Sequence, residues 1–247
     1  MANWNDPRPT GTGFGASPSL SGVQGRSEVF DAGLRRHMLS IYNYMASGVL
    51  LSGIIALLFA TSGAAGAVFG TPLRWVVALA PLAFVMIMSF GANRLSTFAM
   101  QAMFWGFSVA MGLSLSSIFF IYTGPSIAVT FFATAGAFAG LSLFGYTTKK
   151  DLTGFGSFLI MGVVGLLIAS LVNLFVQSSG LAWAISFLGV LIFAGLTAYD
   201  TQRLKAEYAY VAGTEFAGKA VVMGALSLYL DFINMFQFLL QFMGDRR

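Results

Sequence analysis

The stretch Phe158-Leu159-Ile160-Met161-Gly162-Val163-Val164-Gly165-Leu166-Leu167-Ile168 decides the fold. A membrane-spanning β-strand would give about ten residues alternating in polarity. This run does not alternate, so it is the interior of an apolar helix. It sits in a charge-free interval that begins after Asp151 and ends at Asp200. Three more such intervals run from Arg36 to Arg74, Arg74 to Arg94 and Arg94 to Lys149. A spanning helix needs about 20 mostly apolar residues. The first two intervals therefore hold one span each, at about 38–60 and 74–92, on the same length rule. The third holds two, divided at the turn signal Tyr122-Thr123-Gly124-Pro125, and the fourth two more, divided at Gln177-Ser178-Ser179-Gly180. A last segment at about 220–243 completes seven.

Composition agrees. Of 247 residues, 13 are Lys or Arg and 9 are Asp or Glu, which is 9% charged against about 25% in soluble proteins. Hydrophobic residues make up 57% and the mean hydropathy is +0.80. So few charges cannot clothe a soluble globule of this size, and the expectation is an all-α integral membrane protein. With no Cys, disulfides, thiol nucleophiles and cysteine-ligated metal centres are excluded. The single histidine, His37, excludes multi-histidine metal sites and reads as an interfacial residue beside Arg35 and Arg36. The basic pI near 9.5 reflects a tail and short loops rather than nucleic-acid binding.

Lys and Arg in short flanks set orientation. With a cytoplasmic N-terminus, Arg8, Arg26, Arg35, Arg36, Arg94, Lys149, Lys150, Arg203, Lys205 and Lys219 lie inside, leaving Arg74, Arg246 and Arg247 outside. Seven spans then place the C-terminus outside. Residues 1–33 are rich in Pro, Gly and Ser and read as a disordered cytoplasmic tail, with no signal peptide before the first apolar run. The domain is thus expected over 34–247. Gly136-Ala137-Phe138-Ala139-Gly140 matches the small-xxx-small pattern and is expected to mark close helix packing.

Charge within a bilayer is costly, so an intramembrane carboxylate is a functional candidate. Asp231 lies about 18 Å into the last span at 1.5 Å per residue; Asp200 ends the sixth. At 100° per residue, Ser227, Asp231, Asn234, Gln237 and Gln241 share about a third of the last helix's circumference. Such a stripe cannot face lipid. It reads either as a structural hydrogen-bonding seam or as an ion or proton path. Thr197 and Asp200 form a matching face on the sixth span. Two carboxylates in one low-dielectric site would share a proton, a pH-sensitive element without histidine. Arg94, at the inner end of the second span, is on the correct side to pair with Asp200, though it also serves as a topology-setting charge. Paired acids on neighbouring spans also suggest an intramembrane aspartyl protease, but Leu228-Tyr229-Leu230-Asp231 lacks the required Gly-x-Gly-Asp. A retinal lysine is wanting too, because Lys219 sits at the edge of its span.

Four motifs carry a resemblance. Phe30-Asp31-Ala32-Gly33-Leu34-Arg35-Arg36-His37-Met38, Gly145-Tyr146-Thr147-Thr148-Lys149-Lys150-Asp151-Leu152, Ala198-Tyr199-Asp200-Thr201-Gln202 and, most specifically, Ala225-Leu226-Ser227-Leu228-Tyr229-Leu230-Asp231-Phe232-Ile233-Asn234-Met235-Phe236 resemble the Bax inhibitor-1 family in its bacterial branch. The resemblance implies seven helices with the last central in the bundle. It implies a non-enzymatic, pH-sensitive calcium leak gated by an aspartate pair that maps to Asp200 and Asp231. A basic latch partner maps to Asn93 or Arg94. Ser227, Asn234 and Thr197 would line the ion path, and two carboxylates would hold calcium weakly and transiently. No cofactor is implied beyond the transported ion. The partners expected are the lipid bilayer of the bacterial inner membrane and calcium. The alternative it carries is a non-transporting regulator that binds a membrane-anchored ATP-dependent protease.

Overall fold

The computed structural model describes the backbone from Leu20 to Arg247 and side chains from Val29 onward. The described residues form nine helices in order: α1 Leu20–Thr61, α2 Ala64–Phe69, α3 Leu73–Gly91, α4 Thr97–Leu115, α5 Ile118–Ile121, α6 Gly124–Thr147, α7 Thr153–Val176, α8 Ser179–Val211 and α9 Ala217–Met243. Among the described residues seven segments are long and apolar enough to cross a membrane, α4 and α5 together forming one of them. The chain is an all-α membrane protein.

The helix ends follow local chemistry. Ser96 and Ser178 cap α4 and α8, accepting from the amides of Ala99 and Leu181 at 3.1 and 3.3 Å, which satisfies donors the helix leaves free. The expected turn at 177–180 begins with Gln177, whose φ of 51° closes α7 in the left-handed region. The turn at 122–125 separates α5 from α6, and Pro125 enters the first turn of α6, where its missing amide costs nothing.

Two helices are longer than the bilayer requires. α1 has 42 residues and α8 has 33, about 63 and 50 Å at 1.5 Å per residue against a hydrocarbon core of roughly 30 Å. Their overhangs pack together. Phe30 and His37 meet the Tyr208 ring at centroid distances of 5.1 and 5.2 Å, and Gly33 lies against the Tyr208 hydroxyl. Of the expected disordered tail, residues 1–19 lie outside the described residues, whereas from Leu20 the chain is helical. The Tyr208 contact rewards that order. His37, expected at an interface, is buried against the same ring.

α9 is the centre of the bundle. It packs on α8, α1, α6 and α4, and 61% of its most apolar window is buried, against 11–39% for the other spans. No residue from Ala217 to Leu240 is exposed. Helices approach closely at glycines, but not at those expected. Gly136 and Gly140 face open space, while a Cβ on Gly145 would collide with the Ala198 backbone and one on Gly156 with the Tyr199 ring. The spacing was right for a packing motif; the rotation of α6 turns it outward.

Candidate functional site

α8 and α9 run antiparallel, and their contacts fix the register. Ser227 donates to Asp200 Oδ2 at 2.5 Å, and Ser186 donates to Gln241 Oε1 at 3.2 Å at the other end. Gly224 abuts Leu204. The polar stripe of α9 therefore faces α8, as a stripe excluded from lipid must. Asp231 lies one helical turn beyond Ser227 and so one turn deeper than Asp200.

That depth resolves a discrepancy. The ends of the apolar intervals place the two acids far apart in height. α8, however, continues past Asp200 to Val211, about 16 Å, and Asp231 lies about 21 Å from the start of α9 at Ala217 at 1.5 Å per residue. Measured from the shared loop, the acids sit within about 5 Å in height by the same rise. The charged overhang of α8, which hydropathy alone assigns to a loop, is helix.

Both carboxylates are buried, Asp200 at 6% and Asp231 at 5% exposure. Asp200 is tied twice: to Ser227, and to Arg203, whose Nη2 lies 3.3 Å from Oδ1. The same guanidinium nitrogen donates to Ser227 Oγ at 3.0 Å and the group sits over the Tyr199 ring at 5.8 Å. Arg203, Asp200 and Ser227 thus form a closed triangle joining α8 to α9. Asp231 differs. Its neighbouring charges are Asp200 and Arg203, yet its Oδ2 is buried with no hydrogen-bond partner among the described residues. Buried polar atoms are rarely left so. A proton, a cation or water is the chemistry that such an atom accepts.

The other expected path residues take simpler bonds. Thr197, fully buried, donates to the Phe193 carbonyl at 2.8 Å, and Asn234 donates to the Leu230 carbonyl at 2.8 Å. Each donates within its own helix, Asn234 with one of its two amide hydrogens. Arg94 lies exposed in the turn after α3 and makes no ion pair among the described residues. The arginine on Asp200 is Arg203, whose signal in the sequence was the i, i+3 spacing on one helix. Among the described residues no cluster of three or more His, Cys, Asp or Glu converges on one point.

A second polar element was not anticipated. Tyr229, fully buried beside Asp231 on the opposite face, places its hydroxyl 2.6 Å from Ser52 Oγ. Ser52 in turn donates to the Ser108 carbonyl at 2.6 Å. This bolts α9 to α1 and α4, as the Asp200 triangle bolts it to α8. Phe104 and Phe107 close around the ring edge-on, at 6.3 and 4.9 Å.

Comparison with known proteins gives a consistent picture. Residues 34–247 match the family described as "Inhibitor of apoptosis-promoting Bax1". A Caulobacter vibrioides protein described as uncharacterized is 52% identical over 231 residues, covering 88% of this chain and 91% of its own length. A Rickettsia prowazekii protein, also uncharacterized, is 45% identical over 224 residues, covering 90% of this chain and 94% of its own. The inner membrane protein YbhL of Escherichia coli strain K12 is 44% identical over 220 residues, with coverage of 87% and 94%. These likenesses and the seven spans identify a multi-pass inner-membrane protein.

Proposed function

This chain belongs to the Bax inhibitor-1 family, and we propose that it is a non-enzymatic, pH-sensitive leak path for cations, calcium foremost, gated between Asp200 and Asp231. One observation carries the reading: the buried Asp231 oxygen without a hydrogen-bond partner among the described residues, one turn from a second buried carboxylate.

In the closed arrangement Arg203 neutralises Asp200, and Ser227 holds the helices together through it. Protonating Asp200 abolishes its half of the ion pair and frees Arg203 to move toward water. Ionising both acids without a cation drives them apart by like-charge repulsion. Between these limits one carboxyl is neutral beside one anion, and the seam is tightest. A calcium ion is a hard cation that takes six to eight oxygens. Asp200 and Asp231, helped by the oxygens of Ser227 and Thr197, supply too few for storage, which suits passage. Asn234 offers the next oxygen along the path.

Orientation supports the same scheme. Lys205 donates to the Tyr146 carbonyl, Gln202 to that of Lys150 and Lys219 to that of Ala92, so the basic loops gather at one end of the bundle. By the positive-inside rule that end, with the N-terminus, faces the cytoplasm and the C-terminus faces outward.

Calcium flux from liposomes across pH tests the reading. Asp200→Asn keeps size and the Ser227 bond but removes one titration, so the pH response should flatten. Asp231→Asn should flatten it and lower permeation as well. Full parental flux and pH response in both variants would refute the gate and favour a regulator that binds a membrane-anchored protease.

A further inference from the structure

One concavity of the bundle shares no lining residue with the aspartate pair. α1 and α6 both pack on α9 but hardly on each other, and between them lies a groove of about 590 Å³, within the roughly 300–1,000 Å³ range of ligand pockets. Met38, Tyr42, Met45, Phe138, Leu143 and Tyr146 form most of its wall. It is open sideways, since Leu39 and Leu143 on its two rims are 50% and 64% exposed. Over the stretch from Arg35 to Ala46 it runs about 16 Å along α1 at 1.5 Å per residue.

The ends of the groove differ. The deep end is apolar. At the other end stands Arg35, exposed and without an ion pair among the described residues. It is level with Tyr146, one residue before the end of α6, where the chain leaves the apolar layer for Lys149 and Lys150. Lys205 adds a further cation, 4.8 Å from the Tyr146 ring centroid. No acidic residue lines the groove. An apolar slot in the bilayer plane, capped by cations at interface height, matches an amphiphile with an anionic head.

We propose that this groove binds one anionic phospholipid of the surrounding bilayer, an acyl chain lying between α1 and α6 and the phosphate on Arg35. Ordinary boundary lipid meets a convex surface and exchanges freely. Here the chain is held on two sides, and the phosphate has a guanidinium that makes no ion pair among the described residues. Ser142, on the back wall, accepts from Thr201 at 3.4 Å, so the occupant is one hydrogen bond from the residue that follows Asp200. The binding claim stands independently of ion passage.

The test uses the purified full chain, stripped of lipid in detergent and incubated with dioleoyl phosphatidylglycerol or dioleoyl phosphatidylcholine, bound lipid being counted by native mass spectrometry. The parent should retain phosphatidylglycerol about fivefold better, the factor equivalent to roughly one basic residue near a membrane surface. Arg35→Gln should reduce it to the phosphatidylcholine level. Ala139→Trp and Ala46→Trp, which fill the groove from opposite walls at exposed positions, should lower retention of both lipids; Val164→Trp on the outer face of α7 should not. No headgroup preference in the parent, a preference that survives Arg35→Gln, or parental retention in a folded groove-filling variant would each overturn the proposal. If one tryptophan prevents folding, the other gives the same reading.

Discussion

Gly145→Ala is a demanding test of how α8 is held at the site. A Cβ there would lie 2.9 Å from both Ala198 Cα and its carbonyl carbon, and closer still to the oxygen. Ordinary contact begins near 3.4 Å, and the obstructing atoms are backbone, not a side chain that could swing away. The carbonyl oxygen is the limiting contact, so α6 and α8 must separate by about 1 Å, an overpacking cost of about 1–3 kcal/mol. Alanine's better helix propensity returns at most about 1 kcal/mol. With the full return the net is destabilisation of up to about 2 kcal/mol, which is about 1–3 kcal/mol below a glycine-to-alanine change that gains propensity alone. Ala198 is two residues before Asp200, so the same separation should stretch the Thr201–Ser142 bond, already 3.4 Å.

The assay is reversible unfolding in mixed detergent, with Gly165→Ala as the control. Gly165 has nothing within 4 Å of an added Cβ, so there only propensity acts and stability should hold or rise by up to about 1 kcal/mol. Equal stability of the two variants, or a loss confined to Gly165→Ala, would refute the close approach of α6 to α8.

Further outcomes follow from individual contacts. Arg203→Gln should raise calcium flux at neutral pH by no more than about fivefold, because a half-exposed ion pair is worth at most about 1 kcal/mol after solvent screening; unchanged flux in liposomes would remove Arg203 from the gate. Ser52→Ala should destabilise by about 1–3 kcal/mol by orphaning the buried Tyr229 hydroxyl, whereas Tyr229→Phe leaves Ser52 still donating to Ser108 and should cost less, about 0.6–1.7 kcal/mol; the reverse order in an unfolding assay would mean the bond is not made. A reporter fused after Arg247 should be active outside the cytoplasm, and cytoplasmic activity would overturn the orientation.

How much was legible depended on whether a feature is set by one helix or by two. The spans and their turns are properties of single segments: charges at Arg74, Arg94 and Lys149 cannot enter the apolar layer, and Gly124-Pro125 cannot continue a helix unbroken. The polar stripe was readable too, because five residues at helical spacing exclude lipid from one face whatever the neighbour is. Arg203 was not singled out, since counting charges for topology does not say that this one turns back to Asp200. The Tyr229–Ser52 bond joins residues 177 positions apart, and nothing local in Ser52 announces it. Gly136 and Gly145 show the same limit: both sit on α6, and only the rotation of that helix against α8 decides which is packed.

The stripe is also not one continuous wet path. From Arg203, whose side chain is 45% exposed, the seam runs through Asp200 and Asp231 to Asn234, and at the far end Gln241 is exposed again. Between Asn234 and Gln241, on the same face of α9, stands Phe238. Its ring stacks on Phe193 of α8 at 5.8 Å and 23° and covers Gly189, where no larger side chain could fit beside it. Two aromatic rings without a polar atom offer a cation nothing to replace its water. On the proposed path this arrangement would be closed at two points, by Arg203 at the basic end and by the Phe193–Phe238 stack toward the other. Freeing Arg203 alone would let an ion reach Asp231 without letting it cross. If ions pass here as proposed, α8 and α9 would have to shift at Gly189, against the Ser227–Asp200 bond that pins the same two helices.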